Sequence, residues 1–319
     1  MNKLIICALL LPLIDGKIYS QENVLKNIIQ SAQSINSDLG KQISKAKSHE
    51  RAGLINEAEM IYNQLFSNNP TNLHIFSSYK SFLVKHNNWE SLINISLIYS
   101  SEMAGDPYAK LALADTYFIV NQENKAILIF DELFSDELSD AKKLKRYLSK
   151  LIQYKQIDYA LKKIKHIRKA NNDKGFFSDK LGNYFYSNMQ FEMALSEYIL
   201  FISTNGDNAS YIRKKLMSFP DEPKVISLIR LTLNKNNTQI SKMLLAEYEF
   251  KWKNYEKSFD LMIENYNSIK TLHDFAQNLI VVNQLELAEK IYEHMSKSKN
   301  KDIVMTSIYE IASILEIKS

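Results

Sequence analysis

The chain has 319 residues, 45% hydrophobic and 24% charged, with only 7 glycines and 5 prolines. That apolar content suffices for a full core, and the shortage of residues suited to special turns excludes a loop-rich or all-β fold. The formal net charge of +4 decides nothing about nucleic acid, and the single cysteine, Cys7, leaves no disulfide or thiolate-metal framework.

Residues 1–20 read as a secretory leader. Lys3 gives a basic start, Leu4 to Ile14 form an apolar run, and Ser20 offers a small residue before Gln21. The run is shorter than the ~20 apolar residues that span a bilayer. The other reading of this stretch is a short buried first helix. With a leader, the protein is exported to the periplasm or the exterior, and nucleic acid is not an expected partner. In residues 21–38, Val24, Ile28, Ile29 and Ile35 recur at helical spacing, which predicts a capping helix.

From residue 39 the chain repeats. A small or apolar residue recurs at Ala58, Leu92, Ala126, Ala160 and Ala194, each 34 positions after the last, then at Ser258 and Ala288, with Leu228 expected between. Twelve positions earlier stands a small residue (Ala46, Ala114, Gly182, Ala246, Ala276), and four positions later a large one (Tyr62, Phe130, Ile164, Tyr198, Met262, Tyr292). Spacings of three, four and eight keep each set on one helix face. Short polar turns such as Asn87-Asn88, Asn121-Gln122 and Lys253-Asn254 separate the helices. A single hairpin of this kind cannot bury its apolar face, so the units must stack. Two positions depart from the pattern: Lys80 stands for a small residue and Ser96 for an aromatic one. Across 209–238 the pattern is degenerate, and Phe219-Pro220-Asp221-Glu222-Pro223 predicts a distorted hairpin or joint. Repeats resume over 239–302, and a closing helix is expected over 303–319, with Ile303, Ile308, Ile311, Ala312 and Leu315 on its packed face.

These residues resemble the tetratricopeptide repeat (TPR) family. Gly53, Ala58, Tyr62 and Pro70 are similar to the family's glycine, alanine, aromatic and proline pattern, and Leu181-Gly182, Phe185, Ala194 and Tyr198 match it again. The resemblance covers roughly residues 39–302. It implies an all-α, right-handed superhelical solenoid of stacked antiparallel helix hairpins, with repeats over 39–208 and 239–302. It also implies a concave groove, lined by the first helix of each repeat, that binds a protein or peptide. Carried over to this chain, the groove face comprises Tyr108, Asp115, Phe118, Lys142, Lys145, Phe176, Asp179, Asn183 and Tyr186. Lys145, Asn183 and Arg213 stand where the family's carboxylate clamp has residues, but Ser149 and Met217 fill the slots one turn on.

A search for chemistry returns no phosphate-cradling loop, no nucleophile elbow and no zinc helix, and the six histidines are scattered. No enzyme activity, cofactor, metal or small-molecule substrate is expected. Charge is unevenly spread. Residues 141–174 hold twelve Lys or Arg and two acids, a net of +10, while residues 107–140 hold two lysines and seven acids, a net of −5. The basic stretch offers Lys162, Lys163, Lys165, Arg168 and Lys169 to an anionic polysaccharide, lipid headgroups or an acidic protein, or is a solvated surface. The leading expectation is a non-catalytic interaction scaffold of the cell envelope; the alternative is an anionic-surface binder working through the basic patch.

Overall fold

The computed structural model describes residues 38–136, 139–204, 210–265 and 268–319, and every regular element among them is an α-helix. The leader expected over 1–20 and the cap expected over 21–38 lie outside the described residues, Asp38 excepted. The chain divides into two compact units, residues 1–137 and 138–319. The first contains α1 (residues 38–51), α2 (Ile55–Asn68), α3 (Leu73–Lys85), α4 (Trp89–Glu102), α5 (Pro107–Ile119) and α6 (Glu123–Asp136). The second contains α7 (Ala141–Gln153), α8 (Ile157–Ala170), α9 (Ser178–Ser187), α10 (Phe191–Thr204), α11 (Ser210–Met217), α12 (Pro223–Asn236), α13 (Gln239–Lys251), α14 (Tyr255–Asn265), α15 (Ile269–Val281), α16 (Leu285–Met295) and α17 (Lys301–Lys318). Within each unit, most helices adjacent in sequence pack as hairpins.

The periodic residues hold these hairpins together. Ala58, Leu92, Ala126, Ala160, Ala194, Ser258 and Ala288 are all fully buried, as are the small residues twelve positions before them. The large residues four positions after them, from Tyr62 to Tyr292, are also buried. Small side chains on one helix therefore admit the large ones of the next, and burial of each large side chain contributes about 1.5–3 kcal/mol. In the first unit Tyr62 stacks on Tyr79 at 5.6 Å and Phe76 on Tyr99 at 4.1 Å between ring centres. Where the second repeat breaks the pattern, a polar network replaces the aromatic. Ser96 Oγ lies 2.8 Å from Thr116 Oγ1, and Lys80 Nζ donates to Thr116 Oγ1, the Ala112 carbonyl and Asp115.

The turns repeat as closely as the core. Gly53, Asn87, Asn121, Lys155, Met189, Lys253 and Asn283 all have φ between 55° and 79°, and each stands five positions before its buried anchor. In each turn the next residue's N–H closes on a carbonyl five residues back, as Asn88 does on Leu83 and Gln284 on Leu279. This left-handed closure satisfies the end of the first helix and starts the second. At the corresponding point of the degenerate unit stands Pro223, whose ring holds φ near −65° and cannot close such a turn. There α11 has only 8 residues, α12 starts on Pro223 itself, and α10 packs on both α12 and α13. The expected anchor also shifts: Leu228 is half-exposed, and Ile229 is the residue fully buried. Farther on, α14 has 11 residues where the earlier second helices have 14, which accounts for three of the four residues lost between Ser258 and Ala288.

The closing helix differs from expectation in its facing. Ile314 and Ser307 are buried and Ile303 and Ile311 pack against the core, but Ile308, Ala312 and Leu315 are exposed. Among the described residues no helix is long and apolar enough to cross a membrane.

Candidate functional site

Of the nine groove residues expected from sequence, three lie in the first unit and six in the second. In the first, Tyr108 is half-buried on α5, Asp115 is bound to Lys80 at 2.7 Å, and Phe118 is buried, its ring 5.9 Å from that of Phe130. Phe118 is thus a core residue: it faces its own hairpin partner.

In the second unit Lys142 and Lys145 are exposed on α7. Phe176 is buried in the turn ahead of α9. This too departs from expectation. The helix starts only at Ser178, after Phe177 in a left-handed conformation, and the Arg168 guanidinium fixes the turn by donating to the Phe176 carbonyl and to Ser178 Oγ. Lys145 Nζ lies 5.7 Å from the Phe176 ring centre. Asp179 lies beside Lys180 at 3.9 Å. Asn183 Oδ1 accepts from the hydroxyls of Tyr198 and Tyr211, and Tyr186 donates to the Ser218 carbonyl with Lys215 Nζ 5.1 Å over its ring. Within this group α9 is joined to α11 by polar contacts between its own side chains and those of its neighbours.

The basic patch is not uniform either. Lys162, Lys165 and Lys169 are exposed on α8 and Lys163 lies over Tyr159 at 5.1 Å. Arg168, in contrast, is held by both oxygens of Glu197, at 3.1 and 2.6 Å. A fork-to-fork pair of this kind fixes geometry as well as charge, so Arg168 is committed to the fold and drops out of the patch.

A concavity lies elsewhere, in the C-terminal part of the second unit. It has a volume of about 480 Å³ and is built mainly from the first helices of three successive hairpins. Arg213 comes from α11, Met243, Glu247 and Phe250 from α13, Met262 from α14, and Thr271, Asp274, Phe275 and Asn278 from α15. The floor is apolar: Met262 and Phe275 are buried, and Phe250 meets Phe275 edge-on at 5.6 Å. The rim carries one cation and two carboxyl groups. Arg213 Nη1 approaches Glu247 Oε1 only to 3.7 Å, while its Nη2 points at Met243 Sδ at 3.1 Å. Its Nε is shielded from solvent and has no hydrogen-bond partner among the described residues. Burial pushes the Glu247 carboxyl above its ordinary value, and Arg213 pulls it back only in part. An apolar floor with a few converging polar groups is the usual make-up of a ligand cleft of this size. Among the described residues no three His, Cys, Asp or Glu gather as metal ligands.

Of this cleft, sequence reasoning names only Arg213. Three more are within its reach, because Met243, Glu247 and Phe250 stand 15, 11 and 8 positions before Ser258, as Lys145 and Ser149 stand 15 and 11 before Ala160 and Tyr186 stands 8 before Ala194; Thr271, Asp274, Phe275 and Asn278 stand at other offsets from Ala288.

No protein-family model matches the chain, and no curated protein matches it. Solved structures similar to it include a tetratricopeptide repeat protein from Parabacteroides merdae, at 11% identity and a TM-score of 0.34, covering 88% of this chain and 99% of that one. The C-terminal part of a TPR repeat-containing protein from Cytophaga hutchinsonii is similar at 11% identity and a TM-score of 0.34, covering 82% of this chain and 98% of that one. The recurrence of buried small and large residues and of left-handed turns makes each unit a series of all-α helix hairpins, and the solved structures similar to the chain are tetratricopeptide repeat proteins.

Proposed function

We propose that the protein is a non-catalytic scaffold that holds an extended segment of a partner protein in the cleft formed by α11, α13 and α15, and that a lysine or arginine side chain of the segment is its anchor. One observation carries this reading: Glu247 stands at the cleft rim with 38% of its side chain exposed, and the one cation beside it, Arg213, approaches no closer than 3.7 Å. A second cation entering the cleft would complete that pairing and meet Asp274. Its aliphatic stem would cover Phe275 and Met262, as long basic side chains do on apolar surfaces. A fully desolvated anchor of this kind outweighs peripheral contacts in a protein interface. The leader-like residues 1–20 support an exported setting, in which such a scaffold would position a partner in the cell envelope.

The test is binding of the purified chain to a library of extended octapeptides, each with one varied position, followed by fluorescence anisotropy. Peptides with Lys or Arg at the varied position are expected to bind at least tenfold more tightly than their Ala or Glu counterparts. That preference should vanish in Glu247→Gln/Asp274→Asn. A preference for acidic peptides, or a basic preference that survives the double substitution, would overturn the reading.

A further inference from the structure

The last helix carries an apolar seam that nothing in the chain's described residues covers. α17 packs on α16 through Ile303, Ser307, Ile311 and Ile314. Its opposite side presents Met305 at 71% exposure, Ile308 at 57%, Tyr309 at 71% and Leu315 at 51%, with Ala312 also exposed. Positions 305, 308, 312 and 315 follow the three-four-three spacing of a helix that packs against another helix. Tyr309, 71% exposed, widens the seam. Between Met305 and Leu315 no charged residue interrupts it. Together these side chains expose roughly 500 Å², the size of the largest contiguous patch that soluble monomers leave bare, and patches of that size are often functional.

We infer that this seam is a self-association surface, and that two copies of the chain pair through antiparallel α17 helices. Two observations favour a second copy over other occupants. The first is area. Burying the seam on both copies removes about 1,000 Å² from water, the threshold for a biological interface and the size of a weak, reversible one. The second is self-complementarity. A two-fold axis at Glu310 sets Met305 against Leu315 and Ile308 against Ala312, a large side chain against a small one at the centre. A membrane surface fits less well. Helices that lie on lipid flank the apolar face with lysine and arginine, whereas the residues bordering this seam are Thr306, Ser313 and Glu316, and the helix's only basic residues stand at its ends.

Sedimentation velocity of the whole chain over a concentration series tests this. The expected result is a monomer–dimer equilibrium, with the dissociation constant raised at least tenfold by Ile308→Glu and by Met305→Glu. Both positions are exposed, so circular dichroism and the melting profile of the monomer should be unchanged. Register is read separately. With Cys7 replaced by serine, Met305→Cys mixed with Leu315→Cys should form a disulfide-linked dimer under mild oxidation faster than either variant alone. A chain that stays monomeric throughout, or a dimer indifferent to both glutamate substitutions, would overturn the proposal. Faster linkage of Met305→Cys to itself would overturn the antiparallel register. Binding of the monomer to anionic vesicles through the same residues would assign the seam to lipid instead.

Discussion

Glu247 and Glu249 lie two residues apart on α13 and point to opposite sides of it, and the fold treats them in opposite ways. Glu249 is fully buried and saturated. Arg230 donates to both its oxygens at 3.0 and 2.8 Å, Lys257 at 2.8 Å and Asn254 at 2.6 Å. Burial alone would raise its pKa, but the donors from Lys257, Asn254 and Arg230 prevail and hold it below the usual carboxylate range. Glu247 faces the cleft with one distant cation, and there burial prevails and its pKa rises. A carboxylate whose acceptor sites are all filled belongs to the architecture. One that is only partly buried and short of donors has capacity left for a ligand. The number of charges in a stretch of sequence does not separate these cases; the completeness of their pairing does.

The sharpest way to break this comparison is to remove the saturated member. Glu249→Ala leaves Arg230 and Lys257 converging on an empty buried position, and loss of one partner of a buried ion pair costs about 3–5 kcal/mol. Differential scanning calorimetry should show a larger fall in melting temperature for Glu249→Ala than for either Gly182→Ala or Glu247→Gln. A fall within error of wild type would mean that the network is ornamental and that saturation does not mark a structural role.

Next in size is a test of steric commitment. Gly182 on α9 lies under Tyr198 of α10, and a Cβ there would come within 2.5 Å of the Tyr198 ring. The first and last repeats hold the same pair as Ala46 with Tyr62 and Ala276 with Tyr292, so this hairpin is closed more tightly than those that accept alanine. Overpacking typically costs 1–3 kcal/mol and outweighs the ~1 kcal/mol gained by replacing a helical glycine. Gly182→Ala should therefore lower the urea midpoint without changing the slope.

These residues also show how far the sequence can be read. Ala58, Ala160 and Tyr198 are legible as core because their period forces one face inward, and every anchor except Leu228 is buried as that period requires. Leu228 fails because the register slips where Pro223 replaces the left-handed turn residue. Phe118 and Phe176 are misplaced because the family's groove positions presume that every first helix starts at the same register. Here Phe177 adopts a left-handed conformation and delays α9 to Ser178, while Phe118 turns to Phe130. On α17 the apolar residues are dense enough to make two faces, and periodicity alone cannot say which one meets α16. The cleft stays hidden for a different reason: Arg213, Glu247 and Asp274 are far apart in sequence, and a shortened α11 and a 30-residue period bring them around one floor.

Glu247→Gln probes the other half of the comparison, with a smaller effect on stability and a larger one on binding. A carboxyl whose folded pKa is raised favours the neutral form. Its contribution to stability is complete below the unfolded pKa and is lost as pH rises through the folded pKa. Glu249 behaves in reverse: its contribution is present above the unfolded pKa and is lost as pH falls through its lowered folded value. Urea titrations across pH should therefore show Glu247→Gln slightly more stable than wild type near neutrality and equal to it in acid. A loss of stability at neutral pH would show that the contact with Arg213 sustains the fold and would remove the argument for a vacant pairing.

The smallest effect is expected where the sequence is most highly charged. Lys162, Lys165 and Lys169 project from α8 into solvent, and exposed charges of this kind contribute between 0 and about 1 kcal/mol each. Replacing all three with serine should leave the melting temperature close to wild type, whereas Arg168→Ala on the same helix should lower it clearly, because Glu197, Ser178 and the Phe176 carbonyl lose a shared donor. The triple variant also bears on function. If the cleft is the working surface, peptide binding should survive the loss of the three lysines with its salt dependence unchanged. If an anionic polymer is the partner, retention on heparin should fall with each lysine removed and disappear as salt shortens the screening length to a few ångströms. A protein that loses heparin retention but keeps its preference for basic peptides has two separable surfaces, and only the one with incomplete pairing at Glu247 discriminates among protein partners.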